Sequence, residues 1–331
     1  MATVDISRER TSPPPAPQPP PLLAMIRAGW TDPQSRPLAL GALGALTLVG
    51  VIFWANIRHF VLIWSTDENY SHGFLVPFIS LYFANEAARR GPVVVRSGLF
   101  VGSLMIGFAI LVKLTTILIP FPVASDYGLL VGLAGICAVL AGTEALKRFW
   151  FAFVFLVFLV PLPVALYSMI ANPLQLMVSQ VATSMLNLLD IPALCEGNMI
   201  TLPGNSQLFV AEACSGMRQL TGFLALTTAW AYLSARPSWN RVLLVASSIP
   251  IAMTANVVRV TVTGVITYSF DPKYASGAFH TLEGLAMMGL GLFMLAAFSF
   301  TLDQVAGLFK RPGASTTLTL PNSEAALSVG P

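Results

Sequence analysis

Residues 241–269 read RVLLVASSIPIAMTANVVRVTVTGVITYS. After Arg241 the run carries one charged side chain, Arg259. It exceeds the roughly 20 apolar residues that cross a hydrocarbon core, so it reads as a membrane span. A guanidinium in such a run is costly and needs a reason. Arg259 follows Arg241 by eighteen residues, or ~27 Å of helix at ~1.5 Å per residue. With Arg241 at the inner surface, Arg259 lies near the outer one.

Runs of this kind recur along the chain. The predicted spans are 38–57, 73–87, 97–119, 127–146, 149–170, 216–235, 241–269 and 281–303, the second being short. Of the 331 residues, 55% are hydrophobic and 10% charged, against roughly 25% charged in an ordinary soluble domain. Mean hydropathy is +0.74. That balance excludes a soluble enzyme, a disordered scaffold and a nucleic-acid binder. The apolar residues run continuously instead of alternating, which argues against a β-barrel. The expected fold is all-α: a polytopic membrane protein with about eight transmembrane helices and a small outer-face loop and amphipathic-helix region.

Residues 1–37 are expected to form a cytoplasmic, proline-rich, disordered tail with no signal-peptide h-region, given the run from Pro13 to Pro21. The transmembrane domain is placed at 38–303. Residues 304–331 read as a flexible cytoplasmic tail.

Charge sets the orientation. With the N-terminus inside, 13 of the 18 basic residues fall in inner segments. The remainder are Arg58, Lys113, Arg218, Arg259 and Lys273. Lys113, late in the third span, is expected to snorkel outward. Both termini are then cytoplasmic. Of the outer segments, 172–189 has apolar residues at helical spacing and suits an amphipathic interfacial helix. Residues 197–212 are rich in turn formers and read as a short hairpin or irregular lid.

The same topology places three reactive residue types at one depth. Cys214 precedes the sixth span and His280 precedes the eighth, both entering from outside, while Arg259 ends its climb there. A thiol needs a base or a cation to become a thiolate. Histidine takes a proton and returns it to a leaving amine. Arginine stays charged and stabilises a thiolate, a substrate carboxylate or an oxyanion. The trio suits acyl transfer from a peptide bond. Blander readings stand beside it. Cys214 is a small hydrophobe on residue type alone, and a Cys195–Cys214 disulfide is open in an oxidising space. Arg259 and Arg218 are able to snorkel, and His72 or His280 to sit at the interface. Zinc lacks two candidates with close ligand spacing, and Ser215 lacks a nucleophile elbow.

Local strings add a resemblance. Residues 211–220 read AEACSGMRQL, 256–260 NVVRV, 280–284 HTLEG and 69–77 NYSHGFLVP, with PLP at 161–163 and NPLQ at 172–175. In this order, over roughly 40–300, the chain resembles the exosortase/archaeosortase family. The resemblance implies a membrane-embedded cysteine protease or transpeptidase. Its clients end in a short motif (Pro-Glu-Pro in the commonest bacterial form), a transmembrane helix and a basic cluster. It implies a bacterial inner-membrane enzyme facing the periplasm, often beside exopolysaccharide synthesis, with Cys214 as nucleophile and Arg259 and His280 as the family arginine and histidine. His72, Glu212, Arg218, Asn256 and Glu283 lie in the same strings and are supporting or substrate-binding candidates. No cofactor, metal or nucleic acid is expected; the partners are membrane-anchored clients, lipids, and a lipid or polysaccharide acceptor. Two other classes remain: a transporter or channel component for polysaccharide or lipid, and a non-catalytic assembly component.

Overall fold

The computed structural model describes residues 22–91, 97–119, 121–210, 217–270 and 278–309. The chain begins with α1 (Leu22–Thr31) and α2 (Arg36–Ile52). Helix α1 starts where the proline run ends and occupies part of the expected tail; its Leu22 amide donates to Asn85 Oδ1 at 2.9 Å. The first predicted span is broken. Helix α2 stops at Ile52, and α3 (Trp54–Thr66) leaves at 70° to it. A 3-10 turn (Glu68–Phe74) then leads into α4 (Val76–Ala88). At 13 residues, or ~20 Å, α4 is the short element that the sequence predicts.

Helix α5 (Leu99–Leu118) packs along α6 (Pro122–Phe155). The predicted fourth span lies in α6; the fifth, 149–170, is divided among the end of α6, the short 3-10 turn Leu156–Leu159 behind it and the first turns of the next helix, Val164–Leu188. Gly142 interrupts the Pro122–Leu159 stretch with φ +88° and ψ 172°, a conformation that glycine adopts without strain. The chain folds back there. Asn56 of α3 bonds Asp126 at one end of the stretch, and Trp64 of α3 donates to the Leu159 carbonyl at the other. Asn56 and Trp64 are only ~12 Å apart along α3, whereas an unbroken helix from 126 to 159 would measure ~50 Å. Gly98, at the start of α5, meets Ala138, Gly142 and Thr143, which puts the turn at the opposite end of the bundle from Asp126 and Leu159.

Helix α7 (Val164–Leu188) contains the predicted amphipathic segment. Its buried positions Ala171, Gln175, Val178, Ala182 and Leu186 recur at helical spacing. They face α9, so the segment packs on a partner helix. The expected hairpin is a three-stranded antiparallel meander of β1 (Leu194–Glu196), β2 (Met199–Leu202) and β3 (Ser206–Phe209). Ile200, Leu202 and Val210 bury against Val178, Ala182, Leu186 and Val260. The bundle closes with α8 (Met217–Leu233), α9 (Ser238–Ser269) and α10 (Ala278–Phe309). Among the described residues, four stretches are long and apolar enough to cross a membrane, with the folded Pro122–Leu159 stretch counted once, or five with the bent α2–α3 pair. The protein is a polytopic helical membrane protein. The shorter elements α4 and α8 complete its bundle by packing instead of by length.

Candidate active site

The three C-terminal helices share one level of packing. Phe223 of α8, Ile251 and Ala252 of α9 and Leu295 of α10 form a single buried cluster. Gly291 lies directly under the Phe223 ring, a place that no larger residue fits. From that level, α9 rises eight residues, ~12 Å, to Arg259. Helix α10 rises eleven residues, ~16 Å, from Leu295 to Gly284. The Arg259 guanidinium reaches across: its Nη2 lies 4.0 Å from where a Cβ on Gly284 would stand. Gly284 is one helical turn from His280. Arg259 is therefore directed at the first turns of α10, the stretch that carries His280 and Glu283. Asn256, one turn below Arg259 on α9, is fully buried. Val257 and Val260, on either side of Arg259, support the β-meander.

Cys214 and Glu212 lie outside the described residues. The first described residue after them is Met217, which is buried at the start of α8. That start is clamped. Arg218 Nη1 bonds Glu68 Oε2 at 2.6 Å, and Thr221 Oγ1 donates to the Asn69 carbonyl at 3.3 Å. Arg218 is therefore engaged by a carboxylate. Glu68 is 77% and Arg218 46% exposed, so in water their attraction would contribute at most ~1 kcal/mol. What the pair supplies is register between the 3-10 turn and α8.

The same turn carries His72. Tyr70 anchors it by accepting from the Leu162 amide at 3.1 Å, and the Asp67 side chain accepts from the Asn69 amide at 2.9 Å. Gly73 sits against the Trp64 ring with no room for a side chain. Burial pulls the His72 imidazole below the usual histidine value, opposed by a hydrogen bond with the Asn69 main chain. His72 is thus kept neutral and fixed, on a platform docked to the helix that follows Cys214. Glu68 and Thr221 carry no sequence signal of their own. Glu68 and Arg218 are 150 residues apart, and only the neighbouring NYSHG string marks the turn.

Two further expectations meet the structure here. Cys195 has a free thiol that donates to the Gly197 carbonyl at 3.3 Å. It faces inward from the sheet, beside Ile200 and Leu208. Lys113 does not snorkel. Its Nζ donates to Asn56 Oδ1 at 2.6 Å, and it lies 5.6 Å from the Phe53 ring centroid. Asn56 in turn donates to Asp126 Oδ1 at 2.7 Å and accepts from Ser125 Oγ at 3.1 Å. A buried amide so links the ammonium to the carboxylate, which costs less than exposing either to lipid.

Fold and site define a multi-pass helical membrane protein in which the Arg259 guanidinium is directed at the start of α10. The chain belongs to the transmembrane exosortase family, whose model matches residues 64–297, more than half of its length. That range includes every candidate residue from His72 to Glu283. No curated protein and no solved structure matches the chain.

Proposed function

We propose that the protein is a cysteine transpeptidase or protease of the inner membrane that cleaves the C-terminal sorting signal of exported proteins at the outer face. The observation that carries this is the approach of Arg259 to Gly284, one turn from His280, within the family-matched segment. A client arrives with its own transmembrane helix, held inside by basic residues, so its scissile bond lies at the outer surface. His280 takes the Cys214 proton. The thiolate attacks the scissile carbonyl, forming a carbon–sulfur bond, and Arg259 stabilises the oxyanion. As the carbon–nitrogen bond breaks, the imidazolium returns its proton to the leaving amine. Water or an acceptor nucleophile then releases the acyl group and regenerates the thiol. The transporter alternative calls for polar groups along a path near mid-depth; Lys113, Asn56, Ser125 and Asp126 are instead engaged with one another.

The test is a tagged client of the same organism that ends in a short motif, an apolar helix and a basic cluster. Cys214→Ala and Cys214→Ser should abolish its shortening while the protein still inserts. Cys195→Ala should retain most turnover. Continued cleavage by Cys214→Ala would refute the assignment. With both termini cytoplasmic, reporter fusions after Arg90, Arg148 and Arg241 read cytoplasmic; a periplasmic signal at any of them removes Arg259 from the outer face.

A further inference from the structure

The β-meander has two edges, and they differ. The Val210 amide donates to the Asn198 carbonyl at 2.8 Å. With the register Met199↔Phe209, Ile200↔Leu208, Thr201↔Gln207 and Leu202↔Ser206, the alternation of an antiparallel ladder follows. Ser206, Leu208 and Val210 turn their main-chain groups to β2. Gln207 and Phe209 turn theirs to the free edge, where no described residue pairs with them. The opposite edge is guarded: the Asn187 side chain of α7 both accepts from the Ala193 amide and donates to the Ala193 carbonyl as the chain enters β1.

Open edges pair with other strands, and proteins usually blunt them with charge, proline or cover. Strand β3 reads SQLF, with neither charge nor proline. Its Gln207 and Phe209 side chains are exposed. Cys214 follows Phe209 by five residues in the sequence, at most ~17 Å of chain. Its buried face rests on Val257 and Val260, which flank Arg259. An added strand at this edge would thus lie on the part of α9 that carries Arg259, within five residues of chain from Cys214.

We propose that the client's extended segment, next to its scissile bond, binds by adding a fourth strand to the free edge of β3, paired through the main chain of Gln207 and Phe209. This rests on the enzyme reading above. The occupant is a stretch of polypeptide and not a lipid or sugar, because an edge of alternating N–H and C=O groups matches only another peptide backbone. Main-chain pairing gives affinity with little dependence on sequence. Side-chain choice is left to the residues around the edge.

The edge is tested by removing donors without touching the β2 ladder. Proline at 207 or 209 deletes an N–H that faces away from β2, a place where strands tolerate it. Each proline variant is compared with alanine at the same position, on the tagged client, so that the ratio isolates the N–H from the side chain. Gln207→Pro should fall about 5- to 10-fold below Gln207→Ala, and likewise at 209, as expected for one lost hydrogen bond. A photo-crosslinking residue at 209 in the Cys214→Ala protein should join the client, and one at Leu194 on the guarded edge should not. The crosslink decides even where a proline variant fails to insert. Equal turnover of proline and alanine variants, adducts from 194 instead of 209, or a self-adduct between two copies would overturn edge pairing. If Cys214→Ala still cleaves, the enzyme reading fails instead; if Cys214→Ala is inactive and the 209 adduct is absent, only the edge fails.

Discussion

Lys113 and Arg259 are both cations within the helical bundle, and their neighbours differ. Lys113 turns onto groups of its own layer: Asn56 of α3, and through it Ser125 and Asp126 of α6. Arg259 turns toward the start of another helix, at Gly284. The first arrangement ties α3, α5 and α6 together just below the α2–α3 break. The second directs charge at the segment that carries His280. Intramembrane charge therefore serves two ends here, and burial alone does not tell them apart. The chemistry within reach does.

The comparison breaks most sharply by substitution. His280→Gln keeps a hydrogen bond but loses proton transfer, and should lower client cleavage by roughly 10²–10⁴. His72→Gln should cost about tenfold or less, because a neutral imidazole on a clamped turn positions more than it transfers. Loss of cleavage in His72→Gln with retention in His280→Gln would exchange the two roles.

Arg259→Ala should cost roughly 10²–10³ in turnover, the scale of a lost oxyanion donor, with the thermal midpoint in detergent little changed. Arg259→Lys should be intermediate, since a point charge lacks the guanidinium fork. Lys113→Met should do the opposite. It strands the Asn56–Asp126 pair and should cost about 1–3 kcal/mol of stability, while surviving protein keeps turnover within about threefold. A well-folded Lys113→Met protein without activity would erase the distinction between the two cations.

The smallest effect concerns acid. The half-buried His72 titrates lower in the folded protein than in the unfolded chain. The unfolded chain then binds the proton first as pH falls. The stability that depends on neutral His72 is present above the ordinary histidine value and declines as pH drops from there through the lowered folded value. His72→Gln should flatten that part of a plot of thermal midpoint against pH. An unchanged slope would mean that the imidazole is not the titrating group.

Much of this architecture is legible in the residues alone. The continuous apolar runs and the 13-residue fourth helix follow from composition and spacing, because lipid punishes every exposed polar group locally. The distance of Arg259 from Arg241 along α9 is likewise a matter of counting residues at a constant rise. The meander was partly visible in the turn formers of 197–212, with Gly197 at φ +63° beginning its first turn. Other features belong to tertiary structure. Reversal at Gly142 instead of at the basic pair Lys147–Arg148 reflects helix packing against Gly98, which no local pattern encodes. Asn56 as partner of Lys113, and Glu68 as partner of Arg218, join residues 57 and 150 positions apart. Sequence alone determined which side chains are costly in a membrane and how far apart they lie along their helices. Only the folded bundle decided what each one meets, because long-range partners are selected by packing geometry and not by periodicity.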